Sequence, residues 1–185
     1  VARKPRTWFP GAIYHITARG NRRDTMFYDA QDYQYYLDLI KACKQDIPFD
    51  IHAYCLMPNH IHLLLETRDD PPGSIFKFIH TRYAIHFNKR YELTGHVFQD
   101  RYHSNIIDSE NYFLRASSYI HLNPVEAKIV RKPEHYFWSS YAIYLDETTH
   151  NPIVETKKIL SSFQEPSRQA YYTYVGEYRD SPSTI

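Results

Sequence analysis

From Gly11 to Gly20 the chain alternates, with Tyr14, Ile16 and Ala18 on one side and Ile13, His15, Thr17 and Arg19 on the other. A two-residue period is that of a strand with one buried face, and Gly20-Asn21 ends it. The spacing then becomes helical. Asp29 is placed to cap a helix running to about Asp46, with Tyr33, Tyr36, Leu37, Ile40 and Cys43 inward and Pro48 closing the segment. Residues 50–57 and 60–66 read as strands joined by Pro58-Asn59, a turn pair suited to an antiparallel hairpin. A second helix is predicted over 73–91, with Ile75, Phe78, Ile79 and Phe87 as core candidates. Residues 97–107 form a predicted fourth strand. Asp108 then caps a third helix, which ends near Asn123 because Pro124 disfavours helical geometry in the residue before it.

The first six elements have the βαββαβ order of an α+β ferredoxin-like fold, in which both long helices cover one face of an antiparallel sheet and leave the other free for function. The third helix is an addition that can cross the free face. This organisation predicts one domain over 1–145 and a C-terminal extension over 146–185, helical near 153–163 and 168–177 and partly extended elsewhere.

At 185 residues, 43% hydrophobic and 23% charged, the composition is that of a globular protein with one core. No apolar run reaches the roughly 20 residues that span a bilayer, and Val1-Ala2-Arg3-Lys4-Pro5-Arg6 lacks a signal peptide's apolar stretch, so a cytoplasmic location is expected. Cys43 and Cys55 form no disulfide framework and suit a reducing compartment as small buried side chains. The net charge is only +1, yet residues 1–23 hold six Arg or Lys and no acid. Local basicity of that kind points to a phosphate-bearing partner. The 18 tyrosines offer faces that can stack on unpaired bases, although packing the core is the ordinary use of such rings.

His60 and His62 fall on one face of the third predicted strand, while Ile61, Leu63 and Leu65 fall on the face that meets the helices. Two neutral imidazoles so placed can chelate one divalent cation. With 11 His in the chain a His-x-His pair also arises readily by chance, and a solvated or hydrogen-bonded pair is the plain alternative. Tyr119 and Asn123, four apart on the third helix, lie on one side of it. Asn123 could complete a site for Mg²⁺ or Mn²⁺ through its amide oxygen, or Asn-Pro could simply stop the helix. Tyr119 is either a nucleophile or one more packed ring. His15, Thr17 and Arg19 are expected beside Gln99, Arg101 and His103 on the free face. Arg3, Lys4, Arg6, Arg22 and Arg23 have no nearby acid to balance them and are candidates for phosphate contacts, a solvated N-terminal arm being the alternative.

The stretches 57-MPNHIHLLL-65 and 118-SYIHLNPV-125 resemble those of the HUH single-tyrosine transposases, specifically their REP-associated tyrosine transposase branch. The similarity extends to 14-YHITARGN-21, 95-GHVFQDRY-102 and 138-WSSY-141, and so over about residues 8–141. The resemblance implies that His60 and His62 are metal ligands, that Asn123 is the polar ligand one turn beyond the nucleophile, and that Tyr119 is that nucleophile. It implies cleavage and rejoining of single-stranded DNA at hairpin elements through a covalent 5′-phosphotyrosine. His15, Arg19 and Arg101, placed on the free face by the strand pattern, join the basic residues as candidates for DNA binding. A monomer is favoured over a homodimer. Two other readings stay open on the residues alone: a non-catalytic module that binds single-stranded nucleic acid, and a hydrolase whose metal-bound water attacks.

Overall fold

The computed structural model describes residues 7–149 and 151–180. Its elements are β1 (Ile13–Arg19), α1 (Ala30–Asp46), β2 (Phe49–Met57), β3 (His60–Thr67), α2 (Pro72–Tyr91), β4 (His103–Ile106), α3 (Glu110–Glu126), α4 (Tyr141–Leu145), α5 (Lys157–Leu160) and α6 (Ser167–Asp180). The strands form one antiparallel sheet in the order β2-β3-β1-β4, the expected ferredoxin-like arrangement.

Alternation decides which side chains meet α1 and α2. Tyr14, Ile16 and Ala18 of β1 and Ile61, Leu63 and Leu65 of β3 are buried in one cluster with Tyr36 and Ile40 of α1 and Ile75, Ile79 and Tyr83 of α2. The two helices are also tied by charge. Asp29 caps α1 by accepting from Gln31 N and Asp32 N, and Arg90 of α2 bridges Asp29 and the fully buried Asp32. Asp32 further accepts from Tyr91 Oη and Tyr28 N, so its charge is both paired and hydrogen-bonded.

Four expectations need correction. The face opposite α1 and α2 is not left free, because α3 lies across it and α6 packs in turn on α3 and α4, forming a second apolar layer: Ala53, Cys55, Met57 and Leu64 of the sheet are buried in one apolar cluster with Phe113, Ala116 and Ile120 of α3 and Tyr171 and Val175 of α6. The near-continuous apolar run of β2, buried on both faces, is the sequence sign of this second layer. Second, 97–107 is not one strand. Gly20 and Phe98 make an isolated bridge, the chain bends through Asp100 and Arg101 while Tyr102 is buried against Phe76, and regular pairing with β1 is found only from His103. Third, α3 is capped by Ser109, whose side chain accepts from Tyr112 N, in place of Asp108. Fourth, α3 continues past Pro124 to Glu126. Proline removes one donor, but Ala127 N still donates to Asn123 O and Ile129 N to Pro124 O, so the last carbonyls keep partners.

The second layer contains its own polar lock. His121 of α3 lies between Tyr171 Oη and Ser140 Oγ, each at 2.8 Å, and Tyr171 Oη donates to Ser117 Oγ at 3.1 Å. Burial lowers the His121 pKa to about 3, so the ring is neutral and serves as a hydrogen-bonding wedge between α3 and α6.

Glu66, at the end of β3 far from His60, accepts from His52 Nε2 at 2.8 Å and from Lys158 Nζ at 2.7 Å, joining the sheet to the C-terminal extension. The His52 hydrogen bond first, then Lys158, lowers its carboxyl from the ordinary 4.5 to about 2. A depressed carboxylate contributes stability that is complete above its unfolded pKa and is lost as pH falls through its folded one. Thermal melts between pH 5 and pH 2 should therefore show a loss of stability across this window. Glu66→Gln should start about 1–3 kcal/mol less stable and lack that part of the pH dependence.

Candidate active site

Register places the candidate residues. β1 and β3 pair with Arg19 opposite His60 and Thr17 opposite His62, so the two imidazoles and Arg19 share a face at one end of the sheet. The same end receives α3, whose Ile120 and Ala116 are fixed on Leu64 and its neighbours, turning Tyr119 and Asn123 toward the histidines.

Asn123, only 7% exposed, is the hub. Its Oδ1 lies 3.1 Å from His60 Nε2 and its Nδ2 lies 3.2 Å from His62 Nε2. Tyr119 lies beside them, its ring centroid 5.5 Å from that of His62 and 5.7 Å from that of His15, both edge-on. His15 Nε2 is 3.0 Å from His62 Nδ1. Burial lowers the pKa of all three histidines: His15 to about 4, with His103 adding to the effect, His60 below its ordinary value, and His62 well below it. They are neutral at pH 7, the form that ligates metals.

The hydrogen bonds around His60 constrain its proton. Asn59 Nδ2 donates to Arg23 O at 3.2 Å, which turns Asn59 Oδ1 toward His60 Nδ1 at 2.7 Å. The proton of neutral His60 is then on Nδ1, and the Nε2 lone pair faces Asn123 Oδ1, another acceptor. Two lone pairs in contact call for a proton or a cation between them, and burial disfavours the proton. The spacing also suits a metal, since ligands about 2.1 Å from a six-coordinate Mg²⁺ stand about 3.0 Å apart along an octahedral edge. Among the described residues no group of three or more His, Cys, Asp or Glu is placed to hold a metal, so the donor set that fits is two imidazoles and one amide.

A cleft of about 380 Å³ opens over this cluster, lined by His15, Thr17, Arg19, His60, His62 and Tyr119 together with Gln99, Asp100, Arg101 and His103. The break in the fourth strand does not remove Gln99, Arg101 and His103 from the site. Burial raises the Tyr119 phenol above its ordinary pKa, and Glu126 adds to this, while the Asn123 amide and Arg19 act in the opposite sense.

The family model for IS200-like transposases matches residues 9–123, more than half of the chain. The chain belongs to the IS200-like transposase family. A Haemophilus influenzae protein described as a REP-associated tyrosine transposase is 26% identical over 135 residues, covering 63% of this chain and 76% of that one. The solved structure of a REP-associated tyrosine transposase bound to a REP hairpin superimposes with a TM-score of 0.67 at 21% identity, covering 84% of this chain and 98% of the other, which speaks to a shared fold. The resemblance read from the sequence thus holds at the level of family and fold.

The candidate DNA-binding residues separate into groups. Arg19 and Arg101 line the cleft. His15 lines its floor and is only 6% exposed. Arg22 and Arg23 are exposed in a 3-10 turn over Asn21–Arg23, both with left-handed backbone (φ 53° and 65°) that non-glycine residues rarely adopt. Arg3, Lys4 and Arg6 lie outside the described residues. Residue-by-residue reading missed Asn59, which orients His60, and Gly20, which seats the arginine turn; Asn59 was visible only as a turn residue.

The arginine turn is clamped on both sides. Gly20 N donates to Asn59 O at 2.8 Å, Asn21 N to Val97 O at 2.8 Å, and Met26 N to Pro58 O at 2.8 Å. A Cβ on Gly20 would lie 2.2 Å from Asp24 O, a backbone atom that cannot swing aside. Gly20→Ala should therefore cost about 1–3 kcal/mol in a thermal melt and shift the amide resonances of residues 20–26 and of Asn59. An unchanged melt and spectrum would contradict the close packing inferred for this turn.

Proposed function

We propose that this chain is a REP-associated tyrosine transposase, a divalent-metal-dependent enzyme that cleaves and rejoins single-stranded DNA at hairpin-containing elements. The carrying observation is the convergence of the Asn123 amide on both His60 Nε2 and His62 Nε2, with Tyr119 on the same side of α3. Family membership and the relatives described as REP-associated transposases support the substrate class.

In this reading His60, His62 and Asn123 hold Mg²⁺ or Mn²⁺, which when bound would draw electron density from a non-bridging phosphate oxygen. Tyr119 supplies the nucleophile. Its phenolic oxygen gives up its proton to solvent and forms a bond to phosphorus as the bond to the upstream nucleotide's 3′ oxygen breaks; that oxygen takes up a proton, leaving a 5′-phosphotyrosine and a free 3′-OH. One phosphodiester bond is exchanged for another, so a later 3′-OH can attack the phosphotyrosine and rejoin DNA without ATP. The phenol starts protonated, and Arg19 and the Asn123 amide favour the phenolate that attack requires. Arg19 and Arg101 in the cleft, Arg22 and Arg23 in the exposed turn after β1, and Arg3, Lys4 and Arg6 of the N-terminal segment contact phosphates, holding the strand without reading its bases. Tyr119 lies beside the histidines of its own chain, which supports a site in cis, and a monomer is the state proposed with it.

The decisive experiment mixes end-labelled single-stranded hairpin DNA with the protein in Mg²⁺ or Mn²⁺ and resolves the products on a denaturing gel. A denaturant-resistant protein–DNA band is expected that disappears with chelator, with His60→Ala and with Tyr119→Phe. Mixing the last two variants should not restore it, because a site in cis cannot be complemented. Cleavage that survives Tyr119→Phe would replace the tyrosine mechanism with attack by water.

Binding should weaken as salt rises, because phosphate contacts release counterions. Arg22→Ala with Arg23→Ala should weaken binding of hairpins of different sequence alike and reduce the slope of log K against log salt by about 1–2. An unchanged slope would remove both arginines from the DNA path.

A further inference from the structure

His15 sits beneath the proposed metal site without facing the position of the cation. Its partner is the far nitrogen of His62, and the sheet register explains why they meet. His15 is paired with Leu64 and His62 with Thr17, so His15 and His62 are diagonal neighbours on one face, within reach of long side chains. Their ring centroids are 5.3 Å apart, tilted by 33°, and both residues are 6% exposed, which leaves little room for water to take either role.

A nitrogen pair at 3.0 Å needs one donor and one acceptor. The other nitrogen of His62 faces Asn123 Nδ2, a donor, so His62 Nε2 carries its lone pair and Nδ1 carries the proton. His15 Nε2 is then the acceptor, and the His15 proton lies on Nδ1. The reverse polarity would put the His62 proton on Nε2, where it would block a metal.

We propose that His15 is a positioning residue of the metal centre: by accepting the Nδ1–H of His62 it holds that imidazole in the tautomer and orientation that present the Nε2 lone pair to the cation. This rests on the metal-dependent reading above. Ligating histidines generally need such a partner, and losing it costs about 10–100-fold in metal affinity. The partner here is a neutral ring, which adds no negative charge beneath a cleft that must admit a phosphate. His15 also braces Tyr119 edge-on, so one side chain contacts both a proposed ligand and the proposed nucleophile.

The test is Mn²⁺ binding by the DNA-free full chain, followed by the electron paramagnetic resonance signal of free Mn²⁺, for wild type, His15→Leu, His15→Gln and His60→Ala, with melts to verify folding. A glutamine amide oxygen can reach the place of His15 Nε2 and accept in its stead. His15→Leu is expected to bind at least about 10-fold more weakly, and His15→Gln to recover most of the loss. Ring-nitrogen NMR of the metal-free wild type should show His62 protonated on Nδ1, and His15→Leu should populate the other tautomer. Equal affinity in wild type and His15→Leu would overturn the proposal, as would His62 protonated on Nε2 in the wild type. Equal weakness of His15→Leu and His15→Gln, both folded, would reduce His15 to a packing role. A wild type that binds no more Mn²⁺ than His60→Ala would overturn the metal reading itself, and His15's role with it.

Discussion

The site depends on where α3 lies on the sheet. Tyr119 and Asn123 reach the histidines because Phe113, Ala116 and Ile120, on the same helix, are buried against Ala53, Cys55 and Leu64. Each large side chain in that contact is worth about 1.5–3 kcal/mol of burial, more than any single hydrogen bond among the functional groups. The His121, Tyr171, Ser117 and Ser140 network then fixes the helix along and around its axis, since each polar atom has a short partner in a dry environment. The C-terminal helix α6, remote from the cleft residues in sequence, thereby helps to set the geometry of Tyr119, the proposed nucleophile.

Burial at the cleft floor has two electrostatic consequences. It keeps His15, His60 and His62 neutral, and it keeps the Tyr119 phenol protonated. Neutral imidazoles can ligate a cation without first losing a proton, while a protonated phenol is a poor nucleophile until charge nearby favours its anion. Arg19 and Arg101 line the same cleft, so its fixed charge attracts the phosphate that would bring the reacting centre to the tyrosine.

The loop between β1 and α1 shows how strain is carried where position matters. Two consecutive arginines hold left-handed backbone, and hydrogen bonds from Gly20, Asn21 and Met26 bind the turn to Asn59, Val97 and Pro58. Asn59 joins this turn to the floor of the cleft, with one amide atom on Arg23 and the other on His60. A displacement of the turn is therefore felt at a proposed metal ligand.

Local pattern was enough for most of the framework. The alternation of residues 13–19 and 60–66 fixed which side chains meet α1 and α2, and the i, i+4 spacing of Tyr119 and Asn123 put them on one side of their helix, because both periods are properties of the backbone itself. What spacing left open was whether the His pair, Tyr119 and Asn123 meet at all, since that depends on contacts between segments some 60 residues apart. The break of the fourth strand at Asp100 and Arg101 was hidden because pairing is decided by the partner edge of β1. The continuation of α3 through Pro124 was hidden because tertiary packing outweighed a local preference. The link from His15 to His62 also needed the register between two strands, which no residue pattern states. Sequence settled which faces could carry chemistry; packing of α3 and the pairing of β1 with β3 settled which atoms face each other.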